Sequence, residues 1–417
     1  MISVDEARTK ILERLRAVST EIIPLAEAHG RVLAEDIIAR RTQPPADMSA
    51  MDGYAVKASD ITSIPATLKV IGEAAAGSSF DADVGSGEAV RIFTGAPLPA
   101  GTDTIVIQED TERPETGRHN NNEPQNRNNF VTILEQSAKG HYVRPAGLDF
   151  REGDPGLSAG RTLSPRDIGL IAAMNVPWVT VRRKPRIALL STGDELVRPG
   201  EPVGPNQIIS SNSLLIAALI EQMGAEAIDL GIAKDTENSL RQMAAGAKSA
   251  DMLVTLGGAS VGDHDLVQSV LGKGGLAIDF WRIAMRPGKP LMFGDMDGTP
   301  LLGMPGNPVS SMICSFLFLI PAIDALNGLP PRRSPLRKGY ISHDIGKNDQ
   351  REDYLRAKIM GDEDGIPVIE LFPKQDSSML SPLSAADCLV LRAPFAEPAA
   401  KGSEILFIPL TAPYPNV

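Results

Sequence analysis

Cysteine, histidine and aromatic residues are scarce in this chain of 417 residues, and each scarcity argues against a class of protein. The two cysteines, Cys314 and Cys388, cannot form a disulfide framework and agree with a reducing compartment. None of the five histidines stands at metal-ligand spacing from another histidine or from a cysteine, which argues against a zinc site. With aromatic residues at 4%, the chain lacks the stacking platform that binds single-stranded nucleic acid.

The chain also lacks an excess of positive charge and long apolar runs. Its net charge is −11 and its pI about 5.1, so nucleic acid and anionic membranes are unfavourable partners. The opening residues, MISVDEARTK, are acidic and amphipathic, unlike a signal peptide. The most apolar segment, residues 313–323, is interrupted by Ser315 and Pro321 and is too short to span a bilayer, which predicts a buried helix. We therefore expect a cytoplasmic protein.

The first half of the chain predicts a helix followed by a small β domain. Ser3 and Glu6 form a capping box before apolar residues spaced by three and four. Short β-like runs follow from about residue 42, at 67–71, 89–93 and 104–108. The Asn-rich stretch 112–129 has no periodicity and predicts a solvated loop. A second helix is expected after Ser164, because Pro165 stands at its first position.

From Arg186 the chain alternates between strands and helices, which predicts a parallel sheet covered on both faces. After the linker 329–335, short β runs such as 368–372 and 405–408 predict a small β barrel or sandwich. The predicted strands of the alternating region are 187–190, 227–231, 252–256, 278–283 and 300–304; its helices are 213–223, 237–247, 264–271 and 308–326.

Polar loops follow all five predicted strands. Ligands of parallel sheets bind at the carboxyl ends of the strands, so these loops are expected to meet at one edge. Each loop alone could be an ordinary turn, and their joint placement is what favours a binding site. The chain has neither GxGxxG after its first strand nor GxxxxGK[ST], so neither a dinucleotide nor a P-loop nucleotide site is expected. The loops read STGDEL, GIAKDT, GGASVGDHD, AMRPGKP and PGNPVSS.

The third loop combines glycines that suit a phosphate with acids that would repel it. Backbone N–H groups of Gly257, Gly258 and the turn containing Ser260 could hold a phosphate. A divalent cation between phosphate and acids would remove the conflict, because Mg²⁺ takes one or two carboxylates together with phosphate oxygens. The predicted metal ligands are Glu195, Asp235 and Asp265, and the bases expected across the pocket are Arg282, Arg286 and Lys289.

Two further stretches stand out in the β domain, although both could be well-made turns. PADMSAMDGYAV places Asp52 after a Pro-Pro turn, and FTGAPLPAG places Thr94 at the end of a strand.

Six motifs carry a resemblance to a known family. AMDGYAV, FTGAPLP, STGDEL, GGASVGDHD, RPGKP and GMPGNPVS occur in the order found in the molybdopterin molybdenumtransferases, the molybdenum insertases of molybdenum cofactor biosynthesis. The resemblance covers essentially the whole chain. It implies a multidomain α/β plus β protein whose central three-layer α/β domain is similar to the molybdopterin adenylyltransferases. The implied domains are an extended helical domain (1–44 and 143–184), an inserted β domain (45–142), the α/β domain (185–329) and a C-terminal β barrel-like domain (330–417).

The resemblance further implies an elongated homodimer in which the β domain of one subunit completes the α/β site of the other. The implied substrates are molybdate and adenylylated molybdopterin, with Mg²⁺ expected and Zn²⁺ as the alternative. The products are AMP and a pterin dithiolene that carries molybdenum. Molybdopterin adenylyltransferase and molybdoenzymes are the implied protein partners.

Position by position, six residues resemble the functional acids and hydroxyl of the family, and others its substrate-binding residues. Two departures affect the anion and metal sites: Arg282 and Arg286 stand where lysine is common, and Ser210 stands where an acid is common. The first six are Asp52, Thr94, Asp149, Glu195, Asp235 and Asp265; the others are Pro305 and Pro308 of the GxPGNP loop, and Arg351 and Ser377 (or Ser378) beside the oxyanion site, opposite Arg286 and Lys289.

Two other functions remain open at this stage. The α/β domain is similar to an adenylyltransferase, although the additional domains argue against that step. A scaffold that clusters membrane receptors is a role of related animal chains, although the acids at the predicted site argue for chemistry. Transfer of adenylate from ATP to molybdopterin without molybdate would favour the adenylyltransferase. Full rescue by an Asp265→Ala variant, independent of activity, would favour the scaffold.

Overall fold

The computed structural model describes residues 1–113, 129–258 and 276–410. These residues form two units, described separately below. The first consists of Met1–Glu35, Ala159–Pro165 and Trp178–Val417, and the second of Asp36–Ser158 and Arg166–Pro177. The predicted loop 112–129 lies largely outside the described residues, and the predicted helix 264–271 lies wholly outside them.

The opening helix of the first unit is confirmed at Val4–Arg14. The Ser3 hydroxyl accepts a hydrogen bond from the Glu6 backbone N–H (3.1 Å), which satisfies one of the free donors of the first turn. The predicted apolar face is buried, with Ala7 and Ile11 fully covered. The unit continues with the antiparallel pair Thr20–Pro24 and Trp178–Arg182.

Six strands form the central sheet, and five of them run in the same direction. The expectation of a wholly parallel sheet is therefore wrong at one strand, Met292–Met296, which is antiparallel to both neighbours. It arises from a hairpin whose turn, Asp297-Gly298, has positive φ at both residues (52° and 90°), as a type I′ turn requires. In spatial order the strands are Glu226–Ala233, Arg186–Thr192, Met252–Leu256, Thr299–Met304, Met292–Met296 and Leu276–Trp281.

Both faces of this sheet are covered, as the alternating pattern predicts. Along the strand Arg186–Thr192, Ile187 and Leu189 enter one apolar cluster, and Ala188 and Leu190 enter another. The covering helices are Asn212–Gln222, Glu237–Ala244 (continued by a 3-10 turn at Ala245–Ser249) and Pro308–Cys314, which runs through a π turn at Ser315–Leu319 into Ile320–Leu326.

The helix Pro308–Leu326 has 19 residues and a mean hydropathy of 2.0, which is long and apolar enough to cross a membrane. The segment 313–323 lies inside this helix, whose predicted bounds, 308–326, are confirmed. The expected burial is nevertheless found, since 83% of its apolar window lies inside the molecule.

The first unit ends in a closed β barrel, as expected for the C-terminal region. Its strands pair in a ring, and Ile369, Val390 and Phe407 are among the residues buried inside. Met285–Arg286 adds to the barrel beside Glu352 and Asp353, and a short helix, Leu380–Ser384, precedes the fourth strand. The barrel strands are Arg337–Ile341, Glu352–Glu363, Ile366–Leu371, Cys388–Arg392 and Glu404–Pro409.

The second unit contains the predicted β domain. The three predicted β runs are confirmed as part of a six-stranded sheet. Two short antiparallel pairs accompany it, Met48–Ser49 with Val143–Arg144 and Ile37–Ile38 with Pro155–Leu157, and the helix predicted after Ser164 is confirmed at Pro165–Ala173. In spatial order the sheet consists of Thr104–Ile107, Gly53–Val56, Glu88–Ile92, Ala66–Ala74, Phe130–Ile133 and Thr111–Glu112.

Candidate active site

A cavity of about 730 Å³ opens at the carboxyl edge of the central sheet. Four of the five predicted loops contribute residues that the sequence singles out, namely Glu195, Asp235, Gly257, Gly258, Pro305 and Pro308. From the fifth loop, Pro290 lines the cavity. The loops meet because the five co-directional strands end at this edge.

Buried hydroxyls line the floor of this cavity. Ser191 and Thr192, at the end of the first strand of the sheet, are 1% and 7% exposed. Within residues 1–113, 129–258 and 276–410, neither hydroxyl has a hydrogen-bond partner. A buried hydroxyl without a partner is unfavourable, so both favour a polar ligand at this position.

Gly257 allows the loop after the central strand to turn tightly over the first strand. Its φ is +99°, and a Cβ atom there would lie 2.8 Å from the Thr192 carbonyl oxygen, so only glycine fits without a shift. Its own N–H donates to the Met304 carbonyl (3.1 Å). The expectation that this N–H holds a phosphate is therefore wrong, although Gly257 and Gly258 both line the cavity.

Three helix N-termini supply the positive end of a backbone dipole instead. Ser210, Ser211 and Asn212 begin one helix, and all three line the cavity. Asp235 precedes Thr236, which caps the next helix by accepting from Ser239 N–H (3.3 Å). Asn307 and Pro308 begin a third helix and also line the cavity. Three helix starts at one cavity favour an anion there.

Carboxylates line the same cavity. Glu195 and Asp235 both contribute to its wall, and Asp194 accepts a hydrogen bond from the Asp235 backbone N–H (3.2 Å). In the described part of the chain, no group of three His, Cys, Asp or Glu side chains is placed to hold a metal ion. The third predicted ligand, Asp265, lies outside that part, as does Ser260. Carboxylate and hydroxyl oxygens are nevertheless the donors that suit Mg²⁺.

Two of the predicted bases are engaged elsewhere. Arg286 binds Asp349 (3.1 Å) and the buried carboxylate of Asp353, and Arg351 binds Asp349 (2.7 Å). Hydrogen bonds from Arg351, helped by the charge of Arg286, lower the pKa of Asp349 to about 2. Arg286 and Arg351 thus converge on one carboxylate instead of lining the cavity.

The remaining predicted bases do not form the cavity wall either. The guanidinium of Arg282 lies 4.3 Å from the ring centroid of Trp281, and its φ of +72° turns the chain away after the strand. Lys289 is exposed and does not line the cavity. The expected basic wall is absent from the described residues because the segment 284–290 leaves the sheet to join the barrel.

The loop after Phe372 brings serines to the cavity from the barrel. Ser378 lines the cavity. The Ser377 hydroxyl accepts from the side-chain amide of Asn307 (2.8 Å), and its carbonyl accepts from Val309 N–H (3.1 Å). Both alternatives for the predicted serine therefore adjoin the same helix start.

In the second unit, Asp52 and Thr94 form a directly bonded pair. One Asp52 carboxylate oxygen accepts from the Thr94 backbone N–H (2.7 Å) and from its hydroxyl (2.8 Å). These two bonds lower the pKa of Asp52, with a smaller contribution from the charge of Arg91. Gly53 follows, and a Cβ atom there would lie 2.0 Å from the Val106 carbonyl oxygen, so the strand fits between its neighbours only as glycine.

Asp149 lies in another turn of this unit. It is exposed, and its backbone N–H donates to the Gln43 carbonyl (3.0 Å). No hydrogen bond joins its carboxylate to Asp52 or Thr94 in the described part.

Several residues beside these sites were missed in the sequence. Arg91 donates to the Gly53 carbonyl (3.1 Å) and lies over the rings of Tyr54 (5.1 Å) and Phe93 (4.9 Å), next to Asp52. Lys234 adds a cation to the cavity, where Asn212 binds the Gly306 carbonyl (2.6 Å). Lys234 stood in the GIAKDT loop and could have been found there, whereas nothing local in the sequence marks Arg91.

Comparison with protein families covers most of the chain. Residues 2–175 match the MoeA N-terminal region (domain I and II), residues 188–325 a probable molybdopterin binding domain, and residues 338–410 the MoeA C-terminal region (domain IV).

Curated relatives and solved structures agree with these matches. The chain is 35% identical over 398 residues to a molybdopterin molybdenumtransferase of Haemophilus influenzae, with 94% of each chain covered. It is 38% identical over 345 residues to one of Nostoc, covering 81% of this chain and 76% of that one. The crystal structure of the molybdopterin biosynthesis MoeA protein of Pyrococcus horikoshii matches with a TM-score of 0.84 at 29% identity, covering 99% of this chain and all of the other.

Proposed function

Because this chain belongs to the molybdopterin molybdenumtransferases, which insert molybdenum during molybdenum cofactor biosynthesis, we propose that its substrates are adenylylated molybdopterin and molybdate. Cleavage of the pyrophosphate link releases AMP, and molybdenum enters the dithiolene. The cavity at the carboxyl edge carries this proposal. It joins three helix N-termini with the carboxylates of Glu195 and Asp235, which suits a pyrophosphate held together with a cation.

The helix starts and small side chains of the cavity hold the substrate. The N-termini at Ser211, Thr236 and Asn307 face the phosphates, and the Ser191 and Thr192 hydroxyls supply further hydrogen bonds. Gly257 and Gly258 let the ligand approach the backbone closely, and Pro305 and Pro308 shape the adjoining wall.

Magnesium is the metal that this oxygen-rich donor set fits best, with Zn²⁺ as the alternative. Glu195 and Asp235 would hold it together with Asp265 from the undescribed segment. When bound, the ion would stabilise negative charge on the pyrophosphate oxygens.

Asp52 acts as an ionised hydrogen-bond acceptor in the site. Its lowered pKa makes it a poor proton acceptor, so we assign it a role in orienting the reacting groups. Thr94 fixes the carboxylate, and Asp149 is the second predicted acid of this unit. We propose that these residues complete the cavity of the partner subunit in a homodimer.

Molybdate, in this proposal, meets the basic residues Arg282, Arg286, Lys289 and Arg351, together with Ser377. Arginine and lysine form charge-assisted hydrogen bonds to oxyanions. The ion pairs of Asp349 with Arg286 and Arg351 would have to break first.

We further propose the division into four domains at 1–44 with 143–184, 45–142, 185–329 and 330–417. The reaction is assigned to the cytoplasm, where both cysteines, which are free and buried, would remain reduced. Molybdopterin adenylyltransferase would supply the substrate, and molybdoenzymes would receive the product.

The test is AMP release from adenylylated molybdopterin with and without molybdate, with molybdenum counted on the pterin product. We expect AMP release that depends on molybdate, with one molybdenum transferred per AMP. Tight binding without turnover would point to a carrier or scaffold, and adenylate transfer from ATP without molybdate to an adenylyltransferase.

A further inference from the structure

The loop from residue 373 to residue 379 forms part of the cavity wall without any regular secondary structure. Its Ser377 contacts the start of the helix Pro308–Cys314 through Asn307 (2.8 Å) and Val309 (3.1 Å), and Ser378 lines the cavity. A loop of this kind keeps its shape only if other groups bind its carbonyls.

One buried arginine of the barrel binds those carbonyls. Arg356, on the strand Glu352–Glu363, is 1% exposed. Its guanidinium donates to the carbonyls of Met379 (3.0 Å), Asp376 (2.9 Å) and Lys374 (3.4 Å).

Gln375 adds a second set of hydrogen bonds between Arg356 and the loop. Its side-chain oxygen accepts from the Arg356 backbone N–H (2.9 Å) and from its Nε (3.4 Å), and its amide donates to the carbonyls of Arg356 and Phe372 (both 2.9 Å). The loop is therefore fixed to the barrel on one side and touches the cavity on the other.

Lysine could not replace Arg356 in this arrangement. Arginine presents five donors in a rigid plane, whereas the lysine ammonium presents three donors from one atom. With lysine at residue 356, at least one of the three loop carbonyls would lose its hydrogen bond to the charged side chain, and such a loss is unfavourable.

We propose that Arg356 is a positioning residue of the active site: it holds the loop 373–379 so that Ser377 and Ser378 stay against the cavity at Asn307. The identity of the ligand in the cavity rests on the proposed function; the positioning itself rests on the contacts above.

Arg392 offers a matched control in the same barrel. It is also a buried arginine (7% exposed), and its guanidinium binds the carbonyls of Gly346 (3.2 Å) and Glu397 (2.5 Å). Neither Arg356 nor Arg392 lines the cavity. Arg356→Lys and Arg392→Lys therefore remove the same chemistry from two different loops.

The experiment measures hydrogen exchange of the peptide spanning 372–380 and the Kd of adenylylated molybdopterin for both variants and the unchanged protein. For Arg356→Lys we expect exchange in this peptide and the Kd each to rise by about ten-fold, as the loss of a hydrogen bond to a charged group would produce. For Arg392→Lys, with a similar loss of thermal stability, both should stay within about two-fold.

Three results would overturn the proposal: equal changes in the two variants, faster exchange without a change in Kd, or no change in Arg356→Lys. If the unchanged protein binds the pterin but releases no AMP with molybdate, the proposed reaction fails while the exchange and Kd values still test the positioning role. If the unchanged protein does not bind the pterin at all, the proposed function and the role of the loop in the site fail together. If, in addition, exchange is unaltered in Arg356→Lys, then Arg356 does not hold the loop either.

Discussion

At the Asp52 carboxylate, the two donors from Thr94 determine both orientation and charge. The backbone N–H and the hydroxyl bind the same oxygen, which keeps the other oxygen of the carboxylate available to a ligand. Because both donors favour the charged form, the pKa of Asp52 is lowered and the side chain stays ionised at neutral pH.

Thr94→Val tests this at the level of one residue, because valine keeps the shape and the backbone N–H but lacks the hydroxyl. The pKa of Asp52 should rise toward its ordinary value. Because Asp52 acts in its ionised form, a higher pKa means that acidification neutralises it, and lowers activity, at a higher pH. We expect the acid limb of the pH profile of kcat/KM to move to higher pH. At neutral pH, where Asp52 stays ionised, kcat/KM should fall by about ten-fold because the hydroxyl no longer orients the carboxylate.

Thr94→Ser is the matched control, because serine retains the hydroxyl donor. Its pH profile should coincide with that of the unchanged protein. A Thr94→Val profile that also coincides would show that the hydroxyl does not control the ionisation of Asp52.

At the level of elements, the direction of the strands builds the cavity. Five strands deliver their carboxyl ends to one edge, and the antiparallel strand Met292–Met296 is inserted without disturbing this arrangement. The close approach of the loop at Gly257 to the first strand, where Thr192 ends, then forms the floor.

Gly257→Ala should disrupt that floor. Alanine at a φ of +99° is strained, and its Cβ would lie 2.8 Å from the Thr192 carbonyl oxygen. We expect a loss of about 1–3 kcal/mol in stability and at least about ten-fold weaker binding of adenylylated molybdopterin. Thermal unfolding and a binding titration measure the two effects.

Gly298→Ala separates backbone strain from the effect on the site. Gly298 also has a positive φ (+90°), but no atom lies within 4 Å of a Cβ built there, and it belongs to the hairpin turn before Thr299. This variant should lose stability and keep its affinity for the pterin. Equal weakening of binding in both variants would assign the effect to general destabilisation.

At the level of the whole molecule, the predicted site residues fall into two units that belong to one chain. Glu195 and Asp235 lie in the first unit, and Asp52 and Thr94 in the second. If the homodimer shares its sites as proposed, each site takes its residues from two different subunits.

Subunit mixing tests this sharing. Asp52→Asn and Glu195→Gln should each abolish molybdenum insertion as pure dimers. After random exchange, half of the dimers are mixed, and each mixed dimer has one site with both changes and one intact site. We therefore expect about a quarter of the activity of the unchanged protein. No recovery, despite exchange demonstrated by mass spectrometry, would place each site within a single subunit.

Local rules in the sequence accounted for much of the architecture. The capped helix at Val4, the alternation of strands and helices, and the polar loops at one sheet edge all follow from short-range patterns and from the geometry of parallel strands. Even the antiparallel strand had a local signal in Asp297-Gly298, which was overlooked.

Tertiary structure decided which charged groups pair with one another. Arg286 lies on a short β segment, and nothing near it in the sequence tells whether it faces a cavity or a carboxylate. The pairing of Met285–Arg286 with Glu352 and Asp353 of the barrel brought Arg286 to Asp353 and Asp349. Such contacts depend on how distant strands meet, whereas secondary structure and loop position depend mainly on neighbours along the chain.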